Sequence, residues 1–219
     1  MKNLFNYEEC IVKDELMKYD EPWKVISHIS EIIEDKIKTL NKSEYIVMDN
    51  NVYIHKTCVV DKSCHINGPC IIGEKTELRP GAFIRENAVI GKNCVIGNSC
   101  EIKNSIIFNE AQIPHFNYVG DSIIGYKSHL GAGAITSNFK LDQSEVEIKN
   151  GKDVIKTGLI KLGALVGDGV EVGCNSVLNP GTVIGKNTTI YPLSFVRGVI
   201  KENSIYKDVN NIVEKTKKI

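Results

Sequence analysis

The stretch "CVVDKSCHINGPC", residues 58–70, places cysteine at Cys58, Cys64 and Cys70, and the same six-residue phase returns at Cys94 and Cys100. Disulfides, a metal site and a structural repeat can each space cysteines this evenly. Stepping by six from Ile54 gives Val60, Ile66, Ile72, Leu78, Ile84, Ile90, Ile96 and Ile102, aliphatic at every step. Four residues after the first eight of these stand Cys58, Cys64, Cys70, Thr76, Ala82, Ala88, Cys94 and Cys100, all small. One aliphatic side chain per hexapeptide fills a narrow coil. The second inward residue has to be small because three faces converge on it. Three hexapeptides make one triangular turn of about 18 residues, with turns stacked at about 4.8 Å, the spacing of paired strands. Cysteine in this phase is a small buried hydrophobe.

Bulk composition agrees with that reading. The chain has 219 residues, 42% of them hydrophobic, enough for a globular core. Lys and Arg number 27, as do Asp and Glu, so the formal net charge is zero. Nothing global points to nucleic acid or an anionic membrane as partner. The opening "MKNLFNYEECIVKDEL" has no apolar signal-peptide core, and no run is long enough to span a bilayer. The expectation is a cytoplasmic protein whose thiols stay reduced. Seven cysteines is also an odd number, which complete pairing cannot produce. A metal site is disfavoured, because His65 points outward if Cys64 points inward. No required metal is expected.

Three regions follow. Residues 1–50 lack the repeat and read as an N-terminal helical cap. In "DEPWKVISHISEIIEDKIKTL" Asp20 is placed to cap a helix and Pro22 suits its first turn. Trp23, Ile26, Ile29, Ile33, Ile37 and Leu40 form one apolar stripe. The expectation is that this helix closes the open end of the coil. Residues 51–200 carry the repeat. It slips by one residue at "NSII" and again at "DSII", with "IPHFNYVGD" between them, and such irregularity marks candidate functional positions. Residues 137–163 break the pattern and read as a loop ejected from one corner. It holds a hairpin around Asn150-Gly151. The repeat resumes at Val166, Val172, Leu178, Ile184, Ile190 and Val196, and Cys174 falls at an outward position. Residues 201–219 form a C-terminal tail, read as a short basic helix or as disordered.

Four motifs in order, "LRPGA" (78–82), "EIKNS" (101–105), "HFNYVGDSIIG" (115–125) and "LGAGAITSNF" (130–139), carry a resemblance. They resemble the C-terminal acetyltransferase domain of the bifunctional N-acetylglucosamine-1-phosphate uridyltransferase/glucosamine-1-phosphate acetyltransferase. They look closer still to the related domain of two-domain sugar-1-phosphate nucleotidylyltransferase/acetyltransferases, which also share "TGLIKLGALVGD" (157–168). The resemblance covers roughly residues 52–200 and implies an all-β fold, a left-handed parallel β-helix of hexapeptide repeats. That hand runs against the usual crossover rule, and the period alone does not give it. It further implies a homotrimer with sites between adjacent β-helices. The reaction implied is transfer of acetyl from acetyl-CoA to the 2-amino group of a hexosamine 1-phosphate, with glucosamine and galactosamine as candidates.

Within that resemblance His115 matches the general base. An ammonium must lose a proton before attacking a thioester, and an imidazole, titrating ordinarily near about 6.5, suits the task. Arg79 and Lys103 match the residues that hold the sugar phosphate, where a guanidinium fork and a point charge suit a dianion. Tyr118 matches a substrate-binding tyrosine, and Asn138 an amide near acceptor and acyl donor. In "GAG", Ala132 and Gly133 let a backbone N–H approach an oxyanion, or simply build a tight corner. The loop lysine of the family has two candidates, Lys156 and Lys161.

Two departures stand at the acceptor end. His129 replaces an asparagine, and Phe139 follows Asn138 where the uridyltransferases have tyrosine. No L-x-x-G-x-G-T-R run is present, so the nucleotidyltransferase half is expected to be absent. The competing readings are a non-catalytic β-helix module that binds a sugar phosphate or scaffolds a partner, and a metal-dependent β-helix enzyme of the carbonic anhydrase type. The second needs several histidines converging at an interface, and His115 and His129 are not spaced as a close pair.

Overall fold

The computed structural model describes residues 3–216. The hexapeptide positions wind into a parallel β-helix with three faces, each a stack of short strands. The first face holds Val52–His55, Cys70–Ile72, Ala88–Ile90, Ser105–Ile107, Ile123–Ile124, Ala164–Val166, Thr182–Ile184 and Val199–Ile200. The second face runs from Val59–Val60 up through Gln112–His115 and His129–Leu130 to Thr189–Ile190. The third runs from His65–Ile66 through Glu101–Lys103 and Tyr118–Gly120 to Phe195–Val196. The aliphatic positions read from the sequence form one continuous core, with Ile84, Ile90, Ile96, Ile102, Ile107, Ile113 and Ile124 fully buried.

The two slips have a structural cause. Ala88 pairs with Ser105, 17 residues on rather than 18, and Ile106 with Ile123, again 17 on. The residue lost in each coil comes from the corner between third and first faces. That corner is Glu86-Asn87 in one coil, but Asn104 alone and then Asp121 alone in the next two, at φ +44° and +48°. Asn104 is half-buried there, and Asp121 is buried, where the ejected loop meets it through Asn138 and through Gly163 N–H to its carbonyl.

The N-terminal helix does not close the open end as expected; only the first face is met there, by Tyr45–Met48 pairing antiparallel with Val52–His55. The helix lies along the outside of the first face. Trp23, Ile26, Ile29, Ile33 and Ile37 share one cluster with Tyr53, Ile71, Val89, Ile106, Ile123, Leu165 and Val183, the outward residues of successive first-face strands. Those strands are apolar on both sides, so one side has to be covered. The end of the coil stays open: Val60, an inward repeat position, is 39% exposed. Nor does Asp20 cap the helix. A 3₁₀ segment, Pro22–His28, precedes the α-helix Ile29–Thr39, and Glu21 stands at the cap position without a side-chain hydrogen bond.

Two connections also differ in detail. The ejected loop holds the predicted hairpin, Glu147–Asn150 against Asp153–Lys156, but Asn150 pairs with Asp153, so Gly151 and Lys152 make the turn. The loop folds back over the first face, burying Val146, Ile148 and Leu162 in the same outer cluster. The tail is neither helical nor without structure over its described part. Ser204–Asp208 and Asn211–Glu214 pair antiparallel and extend the second face. Residues 217–219 of the tail, and residues 1 and 2, lie outside the described residues.

All seven cysteines are free. Cys70, Cys94 and Cys100 are buried, while Cys58 and Cys64, in the coil at the open end, are partly exposed. Burial pushes the thiols of Cys70 and Cys94 up to about 12 and raises that of Cys100. Cys174 is exposed. Titration with a thiol reagent at neutral pH should therefore label Cys174 first, Cys58 and Cys64 next, and the buried set last, as read by peptide mass spectrometry. Early labelling of Cys70, Cys94 or Cys100 would show that the inward phase is wrong.

Candidate functional site

Residues at one corner position stack coil upon coil. At the corner between second and third faces, His115 stands beside Asn98, Gly133 N–H donates to the His115 carbonyl at 3.0 Å, and Asn175 N–H donates to the Ala132 carbonyl at 2.8 Å. Leu193 N–H donates to the Cys174 carbonyl at 2.9 Å. Asn98, His115, Ala132, Cys174 and Pro192 thus form a column rising about 4.8 Å per coil. The His115 side chain is exposed. Of the two glycine-turn donors, Gly133 N–H is consumed by the ladder, whereas no acceptor meets Ala132 N–H among the described residues. Gly133 has φ +71°, the positive-φ corner conformation that glycine takes without strain and that Phe116 and Asn175 also take in the adjacent coils. Gly133 is therefore a corner residue, and Ala132 carries the free donor directly above His115.

A second set lies on the third face. Asp121, 3% exposed, collects three donors: Asn104 Nδ2 at 2.7 Å, Lys103 Nζ at 3.5 Å, and Asn138 Nδ2. Asn138 Nδ2 also approaches the Tyr118 hydroxyl at 3.2 Å. Burial raises the Tyr118 phenol and the Asp121 charge raises it further, so it stays protonated and able to donate. Gly120 leaves room for this arrangement. A Cβ there would strike the Tyr118 hydroxyl.

The structure does not bring Arg79 to Lys103. Arg79 lies at the second–third corner and pairs with Glu77 at 3.1 Å. Lys103 lies across the third face, at the corner with the first. The guanidinium adjacent to Lys103 belongs to Arg85, one coil below, since Phe83 and Ile84 pair with Glu101 and Ile102. The spacing shows it: 103 − 85 = 18, one full turn, whereas 103 − 79 = 24. Arg85 donates to Glu101 at 3.0 Å, and that hydrogen bond raises its pKa. Sequence reading missed Arg85, and it missed Asp121 as the acceptor organising Lys103 and Asn138.

The remaining candidates divide. His129 is on the outer side of the second face, level with Gln112 and so about 10 Å along the strand from His115. Its Nδ1 meets Glu171 Oε2 at 2.9 Å, and both line an open groove of about 500 Å³. Lys161 pairs through its backbone with Phe139, beside Asn138, and its Nζ is 6.0 Å from the Phe139 ring. Lys156 is exposed on the hairpin opposite Glu147. Of the two loop lysines, only Lys161 adjoins the Asn138 cluster. Among the described residues no three His, Cys, Asp or Glu side chains converge as a metal site, and no helix is long and apolar enough to cross a membrane.

Residues 66–200 match the family model described as the GMPPB C-terminal domain. The chain is 36% identical over 103 residues to the bifunctional sugar-1-phosphate nucleotidylyltransferase/acetyltransferase of Sulfurisphaera tokodaii, covering 47% of this chain and 26% of that protein. It is 38% identical over 113 residues to the bifunctional protein GlmU of Methanococcus maripaludis, covering 51% and 27%. The matched segment thus spans about a quarter of the length of these curated relatives. Among solved structures, WeeI from Acinetobacter baumannii matches at 15% identity with a TM-score of 0.36, over 81% of this chain and 63% of that one.

Proposed function

We propose an activity for this chain, which belongs to the GMPPB C-terminal domain family: it transfers acetyl from acetyl-CoA to the 2-amino group of a hexosamine 1-phosphate. The supporting observation is the corner column, in which His115, with its side chain exposed, stands one coil below Ala132, whose N–H meets no acceptor among the described residues. His115 takes the proton from the ammonium. The amine nitrogen attacks the thioester carbonyl, forming the C–N bond. The negative charge on the carbonyl oxygen is met by Ala132 N–H. The bonded nitrogen, now cationic, loses its second proton to solvent; collapse then breaks the C–S bond, and the departing thiolate takes the proton held by His115. Tyr118 and Asn138 orient the sugar, with Lys161 the nearer loop lysine. Arg85 and Lys103, stacked on adjacent coils, meet the phosphate. Their present carboxylate partners, Glu101 and Asp121, hold both cations in place between substrates.

The test is thiol release from acetyl-CoA with a panel of aminosugars, each with and without the 1-phosphate. A clear preference for the phosphorylated sugars is expected. Transfer without such preference removes the phosphate from the reading, and no transfer to any aminosugar removes the enzyme. One observation favours a non-catalytic sugar-phosphate or scaffolding module instead. His129, at the position of the relatives' asparagine, is held by Glu171 on the second face rather than turned to the corner column.

Assembly is part of this proposal. The first face is covered from end to end by the N-terminal segment and the returning loop. The third face and its corner keep Phe116, Ile135, Leu193 and Phe195 exposed. Copies would meet through that surface, as a homotrimer with each cleft shared between neighbours. Sedimentation should show a trimer at micromolar concentration. Monomer alone would remove the shared cleft.

A further inference from the structure

The inward corner positions are filled by small side chains, with Cys100 one coil below and Ala134 one coil above a single larger polar residue, Asn117. Asn117 is 2% exposed. A primary amide in an aliphatic core is strongly unfavourable unless hydrogen-bonded, and here every part of it is engaged. Its Oδ1 accepts His115 N–H at 3.0 Å. Its Nδ2 donates to the carbonyls of Gly131 at 2.8 Å and Ala134 at 3.1 Å.

These partners are the two ends of the proposed chemistry. Gly131 and Ala134 close a turn through Ala134 N–H to the Gly131 carbonyl, 3.0 Å, and Ala132 is the second residue of that turn. The amide therefore ties the backbone of His115 to the turn that presents the Ala132 N–H. Inward polar residues elsewhere do less. Thr76 donates to the Gly91 carbonyl and accepts Cys94 N–H, and Ser176 donates to the Tyr191 carbonyl and accepts Ser194 N–H, so each ties only to the coil above, whereas Asn117 also accepts the N–H of His115 in its own coil. At Pro80 and Pro192, which share the column position of His115, there is no N–H to hold.

We infer that Asn117 is a positioning residue for acetyl transfer, fixing the separation of the His115 imidazole and the Ala132 N–H from inside the core. The inference rests on the acetyltransferase reading above. A shift of about 1 Å between base and oxyanion donor is enough to cost about 100-fold in rate, so a rigid link between their coils has a kinetic consequence that filling the core alone would lack.

The experiment compares Asn117→Ala, Asn117→Thr and, as a core control outside the site, Thr76→Ala, which loses two buried hydrogen bonds to the coil above. Asn117→Ala should lower kcat about 10–100-fold with little change in KM for acetyl-CoA. Asn117→Thr, whose hydroxyl can still accept from His115 N–H, should recover part of the loss. Thr76→Ala should lower the melting temperature and leave kcat unchanged. Equal kcat in all three variants, or equal losses, overturns the inference. If Asn117→Ala does not fold, Asn117→Thr is judged against Thr76→Ala alone. Amide exchange by NMR separates this idea from the function it rests on: His115 N–H should exchange faster in the Asn117 variants whatever the protein acetylates. Unchanged exchange overturns the positioning role. Unchanged acetyl-CoA in the presence of every aminosugar, with wild-type protein, overturns the function and with it the kinetic consequence.

Discussion

His115→Ala should lower kcat by about 10²–10⁴-fold, the usual magnitude of general-base catalysis, with acetyl-CoA affinity nearly unchanged because the imidazole acts on the incoming amine. His115 is well suited to removal: its side chain is exposed, and its backbone contacts to Asn117 and Gly133 survive truncation. Loss of turnover without loss of the melting transition therefore reads chemistry. The wild-type pH profile alone decides little, since amine deprotonation and imidazole deprotonation both make the rate rise with pH. The comparison with His129 decides more. His129→Asn breaks only the contact to Glu171 on the second face, and turnover should be kept or improved. A dead His129→Asn beside an active His115→Ala would move the base to the groove on the second face. Two silent variants of an active enzyme would mean that solvent deprotonates the amine.

Much of the fold was legible because one constraint repeats. An inward aliphatic residue every sixth position leaves no freedom in the core, and Ile84, Ile102 and Ile124 are buried as that period requires. The covering of the first face was written less plainly. In "CII", "AVI" and "ALV" the middle residue is outward yet aliphatic, but a short apolar triplet does not say which element will cover it. The helical stripe was visible, and its docking site was not. A residue's face follows from the period, but contact between residues follows from the coil length. Arg79 fits a motif by its neighbours. Only counting one turn back from Lys103 finds Arg85. Asp121 is harder still, because nothing in its type shows burial. The lost residue at "DSII" marks its corner, but the same loss at "NSII" leaves Asn104 half-buried; the burial of Asp121 comes with the ejected loop that returns beside it.

That buried carboxylate should be the most sensitive single position for stability. Asp121→Ala removes the acceptor of Asn104, Asn138 and Lys103 at once, and leaves Lys103, whose side chain is 16% exposed, without its counter-ion. Removing one partner of a buried pair costs about 3–5 kcal/mol, and the partial exposure of Lys103 places the expected loss towards the lower end of that range. Urea unfolding should show the midpoint falling at unchanged slope. The double variant Asp121→Ala/Lys103→Met tells where the cost arises. If the stranded cation dominates, removing it restores much of the stability, because an apolar pair in place of a buried ion pair is close to neutral. If the double variant is as weak as the single, the loss belongs to the two amides. Asn104 also donates to the Ile26 carbonyl at 3.1 Å, so releasing it should loosen the N-terminal segment against the first face, seen as faster amide exchange around residues 22–28. A loss below about 1 kcal/mol, the range of exposed pairs, would mean that water reaches this corner and that the cluster is no more than a surface network.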